Sequence, residues 1–208
     1  MGRYGWQWAL LITSAPSLVL VALWYGYSRD HPAEHRGVSG PELDELRANP
    51  PEAPGSPVTL RRLLGVLGNA DILKITASYF LMNYVFYLVT FWSFLYLVQQ
   101  RHMTALESGW LASLPFVAAG AASAVGGRLA DYFRARWGDR VGMRVLPLVA
   151  LPLSALFLYL TVTTTSPYWA VMALCLAFAC CEVTEGPFWG ATMRLAPSDT
   201  MAATAVLN

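Results

Sequence analysis

Charge is what this sequence has least of. Its 208 residues carry 14 Lys or Arg and 13 Asp or Glu, so 13% are charged and the formal net charge is +1. Soluble domains carry about 25% charged residues, and the polar surface left here is too small to coat a water-soluble globule. That excludes a cytosolic enzyme and a disordered regulator. A net charge near zero, with no concentrated basic block, excludes a nucleic-acid binder. Cysteine is scarce as well, and Cys175, Cys180 and Cys181 all fall in one apolar run. An odd number within one segment argues against a disulfide framework. No His or Cys stands at zinc-ligand spacing beside them, and His31, His35 and His102 are scattered in loops, so neither a metal nor a cofactor is expected. What abounds is apolar: 56% of residues are hydrophobic and the mean hydropathy is +0.43. The chain is an integral membrane protein.

A helix needs ~20 mostly apolar residues to cross the ~30 Å hydrocarbon core. Five stretches qualify: Trp6 to Tyr27, Ile72 to Val98, Ser108 to Leu129, Val145 to Thr163 and Tyr168 to Met193. Pro16, Pro115, Pro147, Pro152 and Pro187 fall inside or near them. Neighbouring helices in a membrane re-satisfy the carbonyls that such prolines free. No ten-residue alternation marks a membrane barrel. The expected class is therefore all-α, with about five transmembrane helices. The first segment lacks the basic start of a signal peptide, and Trp6, Trp8, Trp24, Tyr25 and Tyr27 form interface belts at its ends.

Between Ser28 and Asp71 the composition turns Pro-, Glu- and Arg-rich, with Asn49 to Pro57 at its centre. This reads as a flexible polar linker holding a short helix from Gly40 to Ala48, opened by Ser39. Thr59 to Leu67 reads as a short amphipathic stretch on the membrane surface. Twelve Lys or Arg (Arg29, Arg36, Arg47, Arg61, Arg62, Lys74, Arg128, Arg134, Arg136, Arg140, Arg144, Arg194) fall on one side of the spans, against Arg3 and Arg101 on the other. Positive charge collects inside, so residues 28–71 and the third-to-fourth loop are expected in the cytoplasm and the N-terminus outside. That entry suggests a segment before Met1. A new apolar run from Met201 to Leu207 stops at Asn208 without completing a span. The expectation is a piece of a longer protein.

The sharpest motif is Gly126-Gly127-Arg128-Leu129-Ala130-Asp131, followed by Tyr132, Phe133, Arg134, Ala135, Arg136, Trp137 and Gly138. Glycines at the end of a span permit close helix contact, and Asp131 can accept from arginines across a tight basic loop. Gly127, Arg128, Asp131, Arg134 and Arg136 are expected to form a breakable latch, the alternative being an ordinary basic loop. The string resembles the loop signature of the major facilitator superfamily, whose second copy lies between the eighth and ninth of twelve helices. Further strings resemble its anion:cation symporter branch: Tyr4 to Ala9, Arg29 to Pro32, Glu34-His35, Asn83 to Tyr87, Phe91-Trp92, Tyr96-Leu97, Glu107 to Gly109, Gly186 to Trp189 and Ala203 to Asn208.

The resemblance implies a partial major-facilitator helical bundle, with these spans as helices six to ten and the start of eleven. Residues 1–27 would close the N-terminal half, 28–71 would join the halves, and 72–208 would be an incomplete C-terminal half. Branch members are proton- or sodium-coupled carriers of organic anions such as sugar acids and aromatic carboxylates. The implied partners are a small organic anion, a coupling proton or sodium ion, the lipid bilayer and the missing transporter half, in a multi-pass chain of the inner (plasma) membrane.

Two polar features lie inside the spans. Thr76, Tyr79, Asn83, Tyr87 and Thr90 recur at helical spacing and share one face. Such a stripe faces protein or a water-filled cavity, because unsatisfied polar groups in lipid cost several kcal/mol, on the order of 2–7. Asn83 and Tyr87 offer neutral donors to an anion, with Tyr79 on the same face, Tyr84 one step round the helix and Trp189 across from them. The alternative is helix–helix hydrogen bonding without a ligand. Glu182 and Glu185 stand three apart with Phe178, Trp189 and Thr192 on the same face. Buried carboxylates cost about 2.5–3.5 kcal/mol per charge on insertion scales, and one poised to hold a proton near neutrality suits proton coupling. Alternatives are a permanently protonated or arginine-paired structural role. A membrane enzyme using the two carboxylates lacks an accompanying nucleophile–base pair, so no enzyme is expected; a non-transporting interaction fragment is the remaining alternative. Gly186-Pro187 would loosen the fifth span, and the small residues from Gly120 to Gly127 are expected to pack. The fourth span is expected at the lipid periphery.

Overall fold

A computed structural model of the chain describes residues 5–48 and 59–208. Tyr4 and the Asn49 to Pro57 stretch of the expected linker lie outside the described residues. The chain divides into two units, Met1–Pro54 and Gly55–Asn208.

In the first unit, α1 (Trp6–Tyr27) is apolar on every side, and its side chains from Gln7 to Tyr27 are exposed. The Thr13 and Ser14 hydroxyls donate back to Ala9 O at 2.8 Å and Leu11 O at 2.9 Å, so neither is left unpaired in an apolar medium. A 3-10 turn (Pro32–Glu34) follows, with His35 set edge-on to Tyr27. The polar helix α2 (Gly40–Ala48) carries Glu42 in its first turn and Arg47 in its last, each matched to the helix dipole. It occupies the expected residues.

The second unit holds α3 (Leu60–Leu67), α4 (Ala70–Gln99), α5 (Ala105–Thr163), α6 (Pro167–Glu182), α7 (Glu185–Leu195) and α8 (Thr200–Leu207). Among the described residues four helical stretches are long and apolar enough to cross a membrane: Gln7–Tyr27, Ala70–Gln99, Ala105–Thr163 and Pro167–Leu195. The third is 59 residues long and breaks at Gly138, where φ is +79°. Its arms, 105–137 and 139–163, each exceed the ~20 residues of a crossing, which restores five.

Gly138 corrects the expectation of a basic loop. Tyr132 to Trp137 is helical, Phe133 and Trp137 stack at 5.1 Å, and one left-handed glycine makes the turn. The arms then pass so closely at buried Gly142 that a Cβ there would meet the backbone of Arg134. A one-residue turn suffices because Gly142 puts no side chain between the arms.

Local chemistry fixes the remaining ends. Asn69 caps α4 by accepting from Asp71 N at 3.0 Å. Thr104 and Glu107 form a capping box on α5, and the Thr104 hydroxyl and amide hold the Glu107 carboxyl below its ordinary range. At the far end of α4, Arg101 donates to Tyr96 Oη at 2.7 Å and to Thr161 O at 2.8 Å, and Tyr96 donates to the same carbonyl. A cation thus covers the open carbonyls where α5 ends. One face of the arm 139–163 packs on α6, where buried Ser154 donates to Ala177 O at 2.9 Å beside Cys181 Sγ. Its outer face, with Leu148 and Tyr159, is exposed.

The fifth span is not continuous. Pro187 has no N–H to give Val183 O, so α6 ends at Glu182 and α7 begins at Glu185. The Thr184 amide instead closes a tight turn on Cys181 O, and its hydroxyl donates to that carbonyl at 2.6 Å. Pro187 then lies in the first turn of α7, where a missing donor costs nothing. The helix break lies one turn before Gly186-Pro187, where flexure is expected.

Candidate functional site

The break separates the two carboxylates. Glu185 opens α7 and its Oε2 accepts from Tyr79 Oη at 3.2 Å and from Trp189 Nε1 at 3.0 Å. Trp189 Nε1 also reaches Tyr79 Oη at 3.4 Å, closing a three-residue cluster between α4 and α7. The Tyr79 ring meets Phe188 edge-on at 5.5 Å, within an apolar cluster that includes Met82, Cys181 and Leu207. Glu182 ends α6, half-buried, and makes no hydrogen bond or ion pair to the described residues. The expected shared face is therefore corrected. Trp189 stays with Glu185, whereas Phe178 packs with Ala119 and Leu174, and Thr192 is buried and bonded to Phe188 O.

A groove of about 610 Å³ opens beside this cluster between α4 and the end of α8. Thr76, Tyr79, Asn83, Tyr84 and Tyr87 line it, with Phe80, Leu88, Phe91 and Trp92 supplying apolar wall. Four of the five stripe residues thus meet in one place, and Tyr84 joins them from one step round the helix. Thr90 does not line the groove. Asn83 spends one amide proton on Tyr79 O at 3.1 Å inside its own helix. Tyr84 and Tyr87 are more than half exposed, and their hydroxyls bond no described residue. The Thr76 hydroxyl is buried without a hydrogen-bond partner among the described residues. These are neutral donors around an apolar cleft, a combination suited to a small polar ligand.

Tyr79 belongs to both arrangements. Its side chain is buried beside the groove that the residue lines, and its hydroxyl reaches Glu185. Sequence spacing placed Tyr79 on the stripe and Glu185 in the fifth span but gave no sign that they touch across 106 residues.

Of the five residues expected to form a latch, Asp131 and Arg134 join an ion-pair network and the other three do not. Arg134 donates to Asp131 Oδ1 at 2.7 Å and to Asp139 Oδ1 at 3.0 Å, and Arg194 meets Asp139 Oδ2 at 2.6 Å. The hydrogen bond from Arg134 foremost, and the charge of Arg194, hold the Asp139 carboxyl below its ordinary range against a smaller desolvation effect. Arg128 and Arg136 are exposed and make no ion pair with the described residues. Gly127 instead receives Gly186, where an added Cβ would come within 3.3 Å of Gly127 Cα. Asp139 and Arg194 escaped sequence reasoning. The positive-φ glycine before Asp139 was the available signal, since it returns the next residue towards Arg134. The helix α7 carries Glu185 at its first residue and Arg194 near its last, so one short rod joins the half-buried cluster to the ion-pair network.

Comparison with known proteins agrees with this architecture. Over 185 residues the chain is 28% identical to the probable galactarate/D-glucarate transporter GarP of Escherichia coli strain K12, covering 84% of this chain and 41% of that protein. A putative tartrate transporter of Agrobacterium vitis is 25% identical over 211 residues, covering 100% of this chain and 45% of the relative. The human sodium-dependent phosphate transport protein 3 is 29% identical over 136 residues, or 63% of this chain and 30% of that protein. The chain spans less than half the length of these relatives, all of which bear transporter names. The family model of the Major Facilitator Superfamily matches residues 1–208, the whole sequence. With that match over its whole length, and with long apolar helices and a glycine-tight helix pair among the described residues, the chain belongs to the Major Facilitator Superfamily.

Proposed function

We propose that this chain forms one wall of a transporter for a small organic anion of the sugar-acid or aromatic-carboxylate class, working by alternating access with a proton as coupling ion. The observation that carries the reading is the junction at Tyr79, where a groove of neutral donors meets a half-buried carboxylate at a helix break. Binding sites in such transporters lie where helices are interrupted near the midplane. Thr76, Asn83, Tyr84 and Tyr87 would hold the anion and Tyr79 and Trp189 would join it to Glu185 as the proton-holding group, with Glu182 across the break acting on it through its charge. The names of the bacterial relatives, galactarate, D-glucarate and tartrate among them, support the ligand class. The sodium-dependent relative supports sodium as the competing coupling ion.

In this reading residues 28–71 and the Gly138 turn face the cytoplasm of a cell whose inner membrane holds the chain, and the Asp131–Arg134–Asp139–Arg194 network opens and closes with the cycle. The opposite wall comes from the remainder of the transporter. The test replaces Tyr87 by cysteine (Tyr87→Cys) and measures labelling by a charged thiol reagent in membranes. Labelling that D-glucarate or L-tartrate slows supports the reading. Labelling only by lipid-soluble reagents, unaffected by either anion, overturns it.

A further inference from the structure

We infer that the hydroxyl of Tyr79 is the switch that ties anion binding in the groove to proton uptake at Glu185. The inference rests on the transport reading above and concerns how that site is coupled. A phenol has one proton and donates it to one acceptor at a time. Here the donation goes to Glu185 Oε2 at 3.2 Å, longer than the 2.7–2.8 Å typical of such bonds, so it yields readily to a better acceptor. The groove wall on which Tyr79 stands is where an anionic ligand would present one. A carboxylate of the ligand is a charged acceptor, and charge-assisted bonds are the stronger class.

When Tyr79 turns to the ligand, Glu185 keeps Trp189 Nε1 as donor and loses the other. The titratable groups facing it are Tyr79 from α4 and, across the break, Glu182 from α6. The arm 105–137 meets this turn with Gly126 and Gly127, and α8 with Leu207, none of which carries a charge. Nothing among these groups replaces the lost donor, and both Glu182 and the arriving anion repel a second negative charge. Glu185 answers by binding a proton. That proton comes from water; Tyr79 keeps its own throughout, and no covalent bond between heavy atoms forms or breaks. One anion and one proton load together, and departure of the anion returns the Tyr79 hydroxyl to Glu185 and releases the proton.

The test uses the complete transporter carrying this segment, purified and reconstituted, with D-glucarate or L-tartrate as ligand. Anion-induced proton uptake is read from a pH indicator in weak buffer and divided by anion bound. In infrared difference spectra of the unmutated protein, adding the anion should raise a protonated-carboxyl C=O band that Glu185→Gln lacks. In Tyr79→Phe the ratio of protons to anions bound should fall about fivefold or more, whatever the loss of affinity, because the redirected donor is gone. An undiminished ratio in Tyr79→Phe, or no carboxyl band in the unmutated protein that binds anion, overturns the switch. Failure of the unmutated protein to bind either anion would instead overturn the transport reading on which the switch rests.

Discussion

The carbonyl of Val183 lies against Gly126, so close that a Cβ at Gly126 would collide with the carbonyl oxygen. Pro187 cannot bond that carbonyl, so the broken end of α6 presents a bare backbone surface, and only a residue without a side chain lets α5 approach it. Gly126→Ala should therefore destabilise the chain by about 2 kcal/mol, the scale of overpacking. For a protein of this size that corresponds to a fall of about 6 °C in Tm in detergent. Gly120→Ala is the control, since nothing lies within 4 Å of a Cβ there. Its Tm should hold or rise, and equal losses in the two variants would remove the special role of Gly126.

The crossings were legible because span length is a count of apolar residues, and the Asp131–Arg134 ion pair because glycines and alternating charges cluster in one string. What escaped were relations that cross the fold. Gly138 looked like one residue of a basic loop, since charge density suggests solvent; its φ of +79° is what makes a loop unnecessary. Glu182 and Glu185 shared a face only on the assumption of a continuous helix, and Pro187 breaks that assumption by removing one donor. Tyr79 and Glu185 are each marked as polar groups in apolar helices, but no periodicity within a helix reports on its neighbour.

Pro187→Ala supplies the missing N–H. The amide of residue 187 should then bond Val183 O, α6 and α7 should run together, and Glu185 should rotate away from Tyr79. Proton-driven uptake of D-glucarate by the complete transporter should fall about tenfold, equivalent to about 1.4 kcal/mol in the barrier. Thermal stability should hold, because the helix gains a hydrogen bond. Uptake at the original rate would show that the break is incidental.

Asp139 carries a pH signature. Its carboxyl is held below the ordinary range in the folded chain, so the ion pairs to Arg134 and Arg194 contribute fully above that range. The contribution is lost as pH falls through the lowered folded value. Thermal unfolding of the unmutated chain and of Asp139→Asn, compared from neutral to acidic pH, should show a constant gap that closes at the acid end. A gap that widens on acidification would contradict the assignment.

Ser154 offers a purely structural check. Its hydroxyl is buried between α5 and α6 and donates to Ala177 O, a carbonyl that stays within its helix when the hydroxyl is removed. Ser154→Ala should cost about 1 kcal/mol of stability, the worth of one neutral hydrogen bond. Anion-protected labelling at Tyr87→Cys should persist in the Ser154→Ala background, since Ser154 lies outside the groove.

The two carboxylates should not behave alike. Glu185 accepts two hydrogen bonds, one from a residue of the groove, whereas Glu182 accepts none from the described residues. A group tied to the binding surface can sense the ligand; a group beyond the helix break can act only through its charge. Glu185→Gln should lower proton-driven uptake about a hundredfold, about 2.7 kcal/mol, with anion exchange across the membrane losing far less because exchange moves no net proton. Glu182→Gln should lower both by about threefold or less, the effect of removing a nearby repulsion rather than a proton carrier. Uptake at a series of pH values decides the matter: the acid-dependent limb should vanish in Glu185→Gln and survive in Glu182→Gln. The opposite pattern would move the proton site across the break to Glu182 and detach it from Tyr79.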